Sequence, residues 1–230
     1  DPQFATVEMI RGIERLGADV RTVSVDIADG EQVRAWLDRH DREGGRPVRG
    51  VIHAAGTVAD QLLINMSEAD FAKVMAPKVT GTRVLHEAFH DHDLEFFVMF
   101  GSTGSTIASP GQGNYAAANA YLDALARSRR SRGALGSSLQ IPAVSGAGMG
   151  ATTFDSEQLD AMGGVSLDEF AACLSVALAP ARGATAPLQP FSRGWPPCET
   201  TARAWPRRPA PTKVRNSIQI SKYRTPRGAR

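Results

Sequence analysis

LEFFVMFGSTGSTIASPGQGNYAAANAYLDALARSRR, residues 94–130, decides the fold. Residues 94–100 are nearly all apolar, as a strand covered on both faces requires. A loop of Gly, Ser, Thr and Pro follows over 101–113. Small residues at helical spacing then predict a helix over 115–130. A buried strand running through a glycine-rich loop into a helix is one half of a parallel strand–helix–strand unit.

The pattern repeats on both sides. Val7, Ile10, Ile13 and Leu16 give residues 5–16 an apolar helical stripe. A strand is expected over 20–25, with Asp26 at its C-terminal end. Asp29 can cap a helix over 30–40 that buries Val33, Trp36 and Leu37. A second strand over 48–54 ends in His53-Ala54-Ala55-Gly56. Ser67, with Asp70 three residues on, has the form of a capping box. A helix therefore runs from there through Val74. Pro77 suits the first turn of a separate helix with Val79, Val84, Leu85 and Phe89 inward. Further on, 139–144 reads as a strand, and 155–162 and 166–178 as helices. The sum is an α/β chain with a doubly wound parallel sheet, in which ligands bind beyond the C-terminal strand ends.

Composition divides the chain. Residues 181–230 hold 11 Lys/Arg against one acid, Glu199, and 8 of the 14 prolines. Residues 1–180 carry a net −8 and residues 181–230 a net +10. That break implies a globular part over 1–180 and a basic Pro/Arg-rich tail over 181–230, expected to be disordered. The two cysteines, Cys173 and Cys198, are too few for a disulfide scaffold and wrongly spaced for a metal site. No apolar run approaches the ~20 residues of a membrane span, and no signal peptide is visible. A cytoplasmic protein without membrane or metal is the expectation. The N-terminus lacks a starting Met and reads as cut from something longer. The tail, with Trp195, Trp205 and Tyr223, could meet nucleic acid electrostatically and by stacking, but no nucleic-acid-binding motif accompanies it.

Tyr115 and Asn119 are four apart, on one helix face. Ser102 ends the strand before them, and Lys78 starts the preceding long helix. A tyrosine can give a proton to a developing alkoxide while a serine hydroxyl holds the same oxygen. On residue type alone, Tyr115 equally fits a helix-start aromatic, Ser102 a turn residue and Lys78 a solvated cation.

Four stretches carry a resemblance: GVIHAAG at 50–56, APKVTG at 76–81, LEFFVMFGS at 94–102 and GQGNYAAANAYLDALA at 111–126. In that order and spacing they resemble the ketoreductase domains of modular type I polyketide synthases, in the short-chain dehydrogenase/reductase superfamily. The resemblance covers about residues 5–178. It implies a Rossmann-like sheet and an active site of Lys78, Ser102, Tyr115 and Asn119. Tyr115 would supply the proton, Lys78 would lower its pKa and Ser102 would hold the carbonyl oxygen. The implied reaction is reduction by NADPH of the β-keto group of an acyl chain on an acyl carrier protein, within the remainder of a polyketide synthase. Asp26 and Ile27 would meet the adenine, and His53, Ala54, Ala55, Gly56 and Tyr115 would lie along the cofactor.

Three departures qualify this. The family's opening strand, Gly-rich turn and helix have no counterpart in these 230 residues, which implies a truncated sheet with exposed apolar edges and weakened cofactor binding. Where relatives carry Trp-Gly-x-Trp, this chain has Ile141-Pro142-Ala143-Val144. The tail resembles nothing in the family and reads as a shifted frame or an unrelated fusion. A catalytically inactive remnant or scaffold fragment is the competing reading. For the alcohol configuration, Val58-Ala59-Asp60 keeps the last acid of the Leu-Asp-Asp run typical of one stereochemical type. Ile107 stands where the other type has Trp, so the first type is implied.

Overall fold

The computed structural model describes residues 2–107, 109–146, 148, 155, 157, 159, 163–178 and 217–221. They fall into two compact units, one of residues 1–26 and 195–230, the other of residues 27–194.

In the first unit, helix α1 (Pro2–Arg15) precedes strand β1 (Asp19–Val23). β1 pairs in parallel with a strand at Ser217–Ser221, Val20 opposite Ile218. That strand lies in the basic tail, and its Ser-Ile-Gln-Ile-Ser alternation is a short period-2 signal within a segment otherwise without period. The rest of the tail, where disorder was expected, lies outside the described residues.

The second unit opens with helix α2 (Gly30–Arg42), whose N-cap is Asp29, accepting from the backbone N–H groups of Glu31 and Gln32. Strands β2 (Gly50–His53), β3 (Phe96–Ser102) and β4 (Ser137–Ile141) form a parallel sheet in that order. Between β2 and β3 run a 3₁₀ turn (Leu63–Asn65) and helix α3 (Glu68–Met75), then a π-helical segment (Ala76–Thr80) and helix α4 (Gly81–Ala88). The Ser67–Asp70 capping box is formed in both directions. Pro77 does not open a separate helix. It lies inside a continuous run, where its missing N–H and its ring would break the i→i−4 ladder. One widened turn absorbs it, with the Gly81 N–H reaching five residues back to the Ala76 carbonyl.

Helix α5 (Gly113–Ser131) links β3 to β4, and α6 (Leu167–Leu178) follows. Ser166 and Glu169 cap α6 reciprocally. The Arg129 guanidinium of α5 lies 4.0 Å from the Phe97 ring centroid, and Phe170 of α6 meets Phe100 edge-on at 5.4 Å. Phe97 and Phe100 are three apart on one strand and face opposite ways. Helices therefore cover both faces, and the sheet is doubly wound and Rossmann-like. That is why β3 is apolar without alternation: Phe97, Val98 and Met99 are all at or below 1% exposure. Among the described residues β2 pairs on one side only, and Ile52 is 45% exposed. The expected helix over 155–162 falls mostly outside the described residues. Among those residues, no helix is long and apolar enough to cross a membrane.

Candidate active site

The four named residues converge at the C-terminal ends of β2 and β3. Ser102 closes β3, Tyr115 and Asn119 rise from the first turns of α5, and Lys78 enters from the π-helical segment. Lys78 is not a solvated cation. It is 4% exposed, its Nζ donates to the Phe100 carbonyl at 2.9 Å, and Nζ lies 5.4 Å from the centre of the Tyr115 ring. Burial pulls the ammonium down from 10.5 to about 8, and the charge of Asp123 opposes the fall.

Burial raises the Tyr115 pKa, and the neighbouring Asn119 and Ser102 side chains, which favour the phenolate, only partly oppose it. The resemblance assigns Lys78 to lowering that pKa. Here the ammonium sits over the ring, and desolvation of the phenolate wins. A phenol raised in this way stays protonated at neutral pH, as a proton donor must. Ser102 Oγ accepts from the Gly104 N–H at 3.1 Å, which leaves its own proton to give. Asn119 is fully buried; its Nδ2 donates to the Tyr115 carbonyl at 2.8 Å, and its Oδ1 has no hydrogen-bond partner.

His53 is 3% exposed, and its Nε2 is likewise buried without a partner. Burial first and the Lys78 charge second hold its pKa at about 4, against an ordinary 6.5. A folded-state pKa below the unfolded value means that the unfolded chain takes up the proton first as pH falls. Stability is complete above pH 6.5 and drains away towards pH 4, by roughly 3 kcal/mol. His53→Asn is expected to remove this loss, read as the difference in urea midpoints between neutral and acid pH. Parallel pH dependences in both proteins would refute the assignment.

The other expected cofactor positions divide. Gly56 lies against Lys78, where an added Cβ would come within 2.9 Å of its Cε. Ala54, Ala55 and Gly56 form a small-residue edge after β2. Ile27 is 6% exposed and packs on Gly81, so its side chain belongs to the core. Asp26 belongs to the first compact unit, whereas the other named residues belong to the second. Asp60 accepts from Gln112 Nε2 at 3.0 Å, and Ile107 is 74% exposed. Among the described residues no cluster of His, Cys, Asp or Glu suits a metal.

Asn114 escaped the sequence reading. It is fully buried, its Nδ2 donates to the carbonyls of Ala59 and Asp70, and its Oδ1 accepts from the Tyr115 N–H at 2.7 Å. It thus ties the start of α5 to the loop after β2 and to α3. A polar residue directly before Tyr115 at the start of the helix was its signal in the sequence.

The model of the KR domain family matches residues 2–146. A phenolphthiocerol/phthiocerol polyketide synthase protein of Mycobacterium tuberculosis is 44% identical over 158 residues, covering 68% of this chain and 8% of that protein. The chain thus spans under a tenth of such relatives. Among solved structures, the ketoreductase from the first module of phoslactomycin biosynthesis in Streptomyces sp. HK803 aligns with a TM-score of 0.69 and 35% identity, over 78% of this chain and 41% of that one. A ketoreductase domain from the bacillaene assembly line gives 0.66 and 29%, over 74% and 42%. With the motifs, the doubly wound sheet and these likenesses in agreement, the chain belongs to the ketoreductase (KR) domain family of type I polyketide synthases, within the short-chain dehydrogenase/reductase superfamily.

Proposed function

We propose that this chain is the proton-delivering part of a cytoplasmic, NADPH-dependent ketoreductase that reduces the β-keto group of an acyl chain carried on an acyl carrier protein. The observation that carries the reading is the convergence of Ser102, Asn119 and Lys78 on Tyr115. The raised phenol holds the proton until negative charge develops on the substrate oxygen. The Ser102 hydroxyl, with the Gly104 N–H on its lone pair, donates to that oxygen and orients the carbonyl. Asn119 anchors the first turn of α5 through the Tyr115 carbonyl, and Lys78 supplies positive charge over the ring.

The residues fit the nicotinamide end of the cofactor. The unpartnered Nε2 of His53 and Oδ1 of Asn119 are polar atoms in a buried setting, and Ala54, Ala55 and Gly56 offer backbone free of bulk. When bound, NADPH supplies the hydride that reduces the keto carbon. With its side chain packed on Gly81, Ile27 would meet the adenine through its backbone. These 230 residues hold no Gly-rich phosphate loop, so the chain is expected to need a second segment for tight binding.

The test is NADPH consumption with a simple cyclic ketone or a β-ketoacyl thioester. The chain is assayed alone and joined to the N-terminal portion of a related ketoreductase. Activity is expected in the joined protein. A folded, joined protein that stays inert would leave only the scaffold reading.

A further inference from the structure

Asp123 lies two turns along α5 from Tyr115 and one turn beyond Asn119, on the same helix face. The residue is 6% exposed, and a carboxylate this deep must be matched by donors. Three side chains meet it. Ser138 Oγ donates to Oδ1 at 2.6 Å, Gln140 Nε2 donates to Oδ2 at 2.7 Å, and Ser105 Oγ stands 2.8 Å from Oδ2. Ser105 Oγ is also 2.9 Å from the carbonyl of Ser102, and Gln140 Nε2 reaches Ser105 Oγ and Thr106 Oγ1 at 3.2 Å each.

The carboxylate thus fastens β4 to the 3₁₀ turn Thr103–Ser105, which begins at Ser102. Gly101 makes room for it: a Cβ there would lie 2.8 Å from Ser138 Oγ, 3.0 Å from the Leu139 carbonyl and 3.5 Å from Asp123 Oδ1. No step in the proton transfer uses this carboxylate, yet three side chains bond it.

We propose that Asp123 is a positioning residue: its buried carboxylate locks the Ser102 turn through Ser105 and, lying against Gly101 next to the Phe100 carbonyl that holds Lys78 Nζ, sets its charge near that ammonium. The titratable groups around Lys78 are His53 on β2 and Tyr115 and Asp123 on α5; β3 presents the Phe100 carbonyl. At neutral pH His53 is uncharged and Tyr115 protonated, so Asp123 is the only counter-charge of this set. It is also the one influence that raises the Lys78 pKa against burial.

Only the kinetic arm of the test rests on the ketoreductase reading. The main arm follows Lys78 by NMR in the chain labelled with ¹³C-lysine. The signal is assigned by its loss in Lys78→Met. Its midpoint is expected at about 8 in the wild type and lower in Asp123→Asn, since removing an anion leaves burial unopposed. Where activity is measurable, the basic limb of kcat should move down with it. A merely structural Asp123 would lower the folded fraction and leave the midpoint in place. A folded Asp123→Asn with an unmoved midpoint overturns the charge role. Ser105→Ala keeps the carboxylate and two of its donors, so it still tests the turn if Asp123→Asn fails to fold. Exchange of the Gly104 amide, which bonds Ser102 Oγ, should quicken roughly five- to tenfold, one hydrogen bond's worth. Unchanged exchange in Ser105→Ala overturns the turn role.

Discussion

Tyr115→Phe, made in a catalytically complete form of the domain, is expected to lower kcat by roughly 10²–10⁴, the usual worth of a positioned proton donor. The substitution keeps the ring under the Lys78 ammonium and the packing of a residue that is largely buried. It removes the hydroxyl that lies beside the Ser102 and Asn119 side chains. Apparent affinity for NADPH should stay within a few-fold, because the hydroxyl acts on charge that develops only in the transition state. The raised phenol pKa adds a second expectation. Tyr115 keeps its proton above neutral pH, so it does not set the basic limb of the rate profile, and whatever residual activity Tyr115→Phe retains should show the wild-type limb. Steady-state kinetics at saturating NADPH across pH checks both. Near-normal kcat in Tyr115→Phe would remove the proton donor from the proposal.

Those expectations begin in the sequence, and what was legible there has a physical pattern. Local rules wrote themselves into short spans. Asp29 caps α2, Ser67 and Asp70 form their box, and the unbroken apolar run of β3 signalled cover on both faces. Tyr115 and Asn119 share a face because four residues make about one turn. Long-range satisfaction left no such trace. Asp123, Ser105, Ser138 and Gln140 come from a helix, a turn and a strand spread over 35 positions, and only folding makes them one network. Asn114 bonds carbonyls 44 and 55 residues away. Pro77 misled because proline suits a helix start; a π turn that swallows it has no sequence mark of its own. Lys78 was open to reading as a surface cation for a related reason, since the widened turn delivers it into the core.

That burial has a measurable consequence. An ammonium whose pKa falls from 10.5 to about 8 on folding binds its proton less tightly in the native state than in the unfolded one. Between those values the unfolded chain carries more protons, so stability rises as pH rises from about 8 to 10.5. Below about pH 8 the native state bears the whole cost of a buried charge, roughly 3 kcal/mol. Lys78→Met removes the charge but keeps a chain of similar length. It also strips the Phe100 carbonyl of a donor 2.9 Å away, a loss of about 1–3 kcal/mol if that oxygen finds no other partner. The two effects oppose each other at neutral pH, so a single stability value there decides little. The slope decides: urea midpoints of the wild type should climb between pH 8 and 10.5, and those of Lys78→Met should climb less by the equivalent of roughly 3 kcal/mol. In the complete domain the same variant should lose roughly 10²–10³ in kcat, the scale of one preorganised electrostatic group, and with it the basic limb near pH 8. A Lys78→Met protein with the wild-type climb would mean that the ammonium is solvated in the folded chain, and the charge over Tyr115 would then have no role in holding its proton or in stabilising the alkoxide.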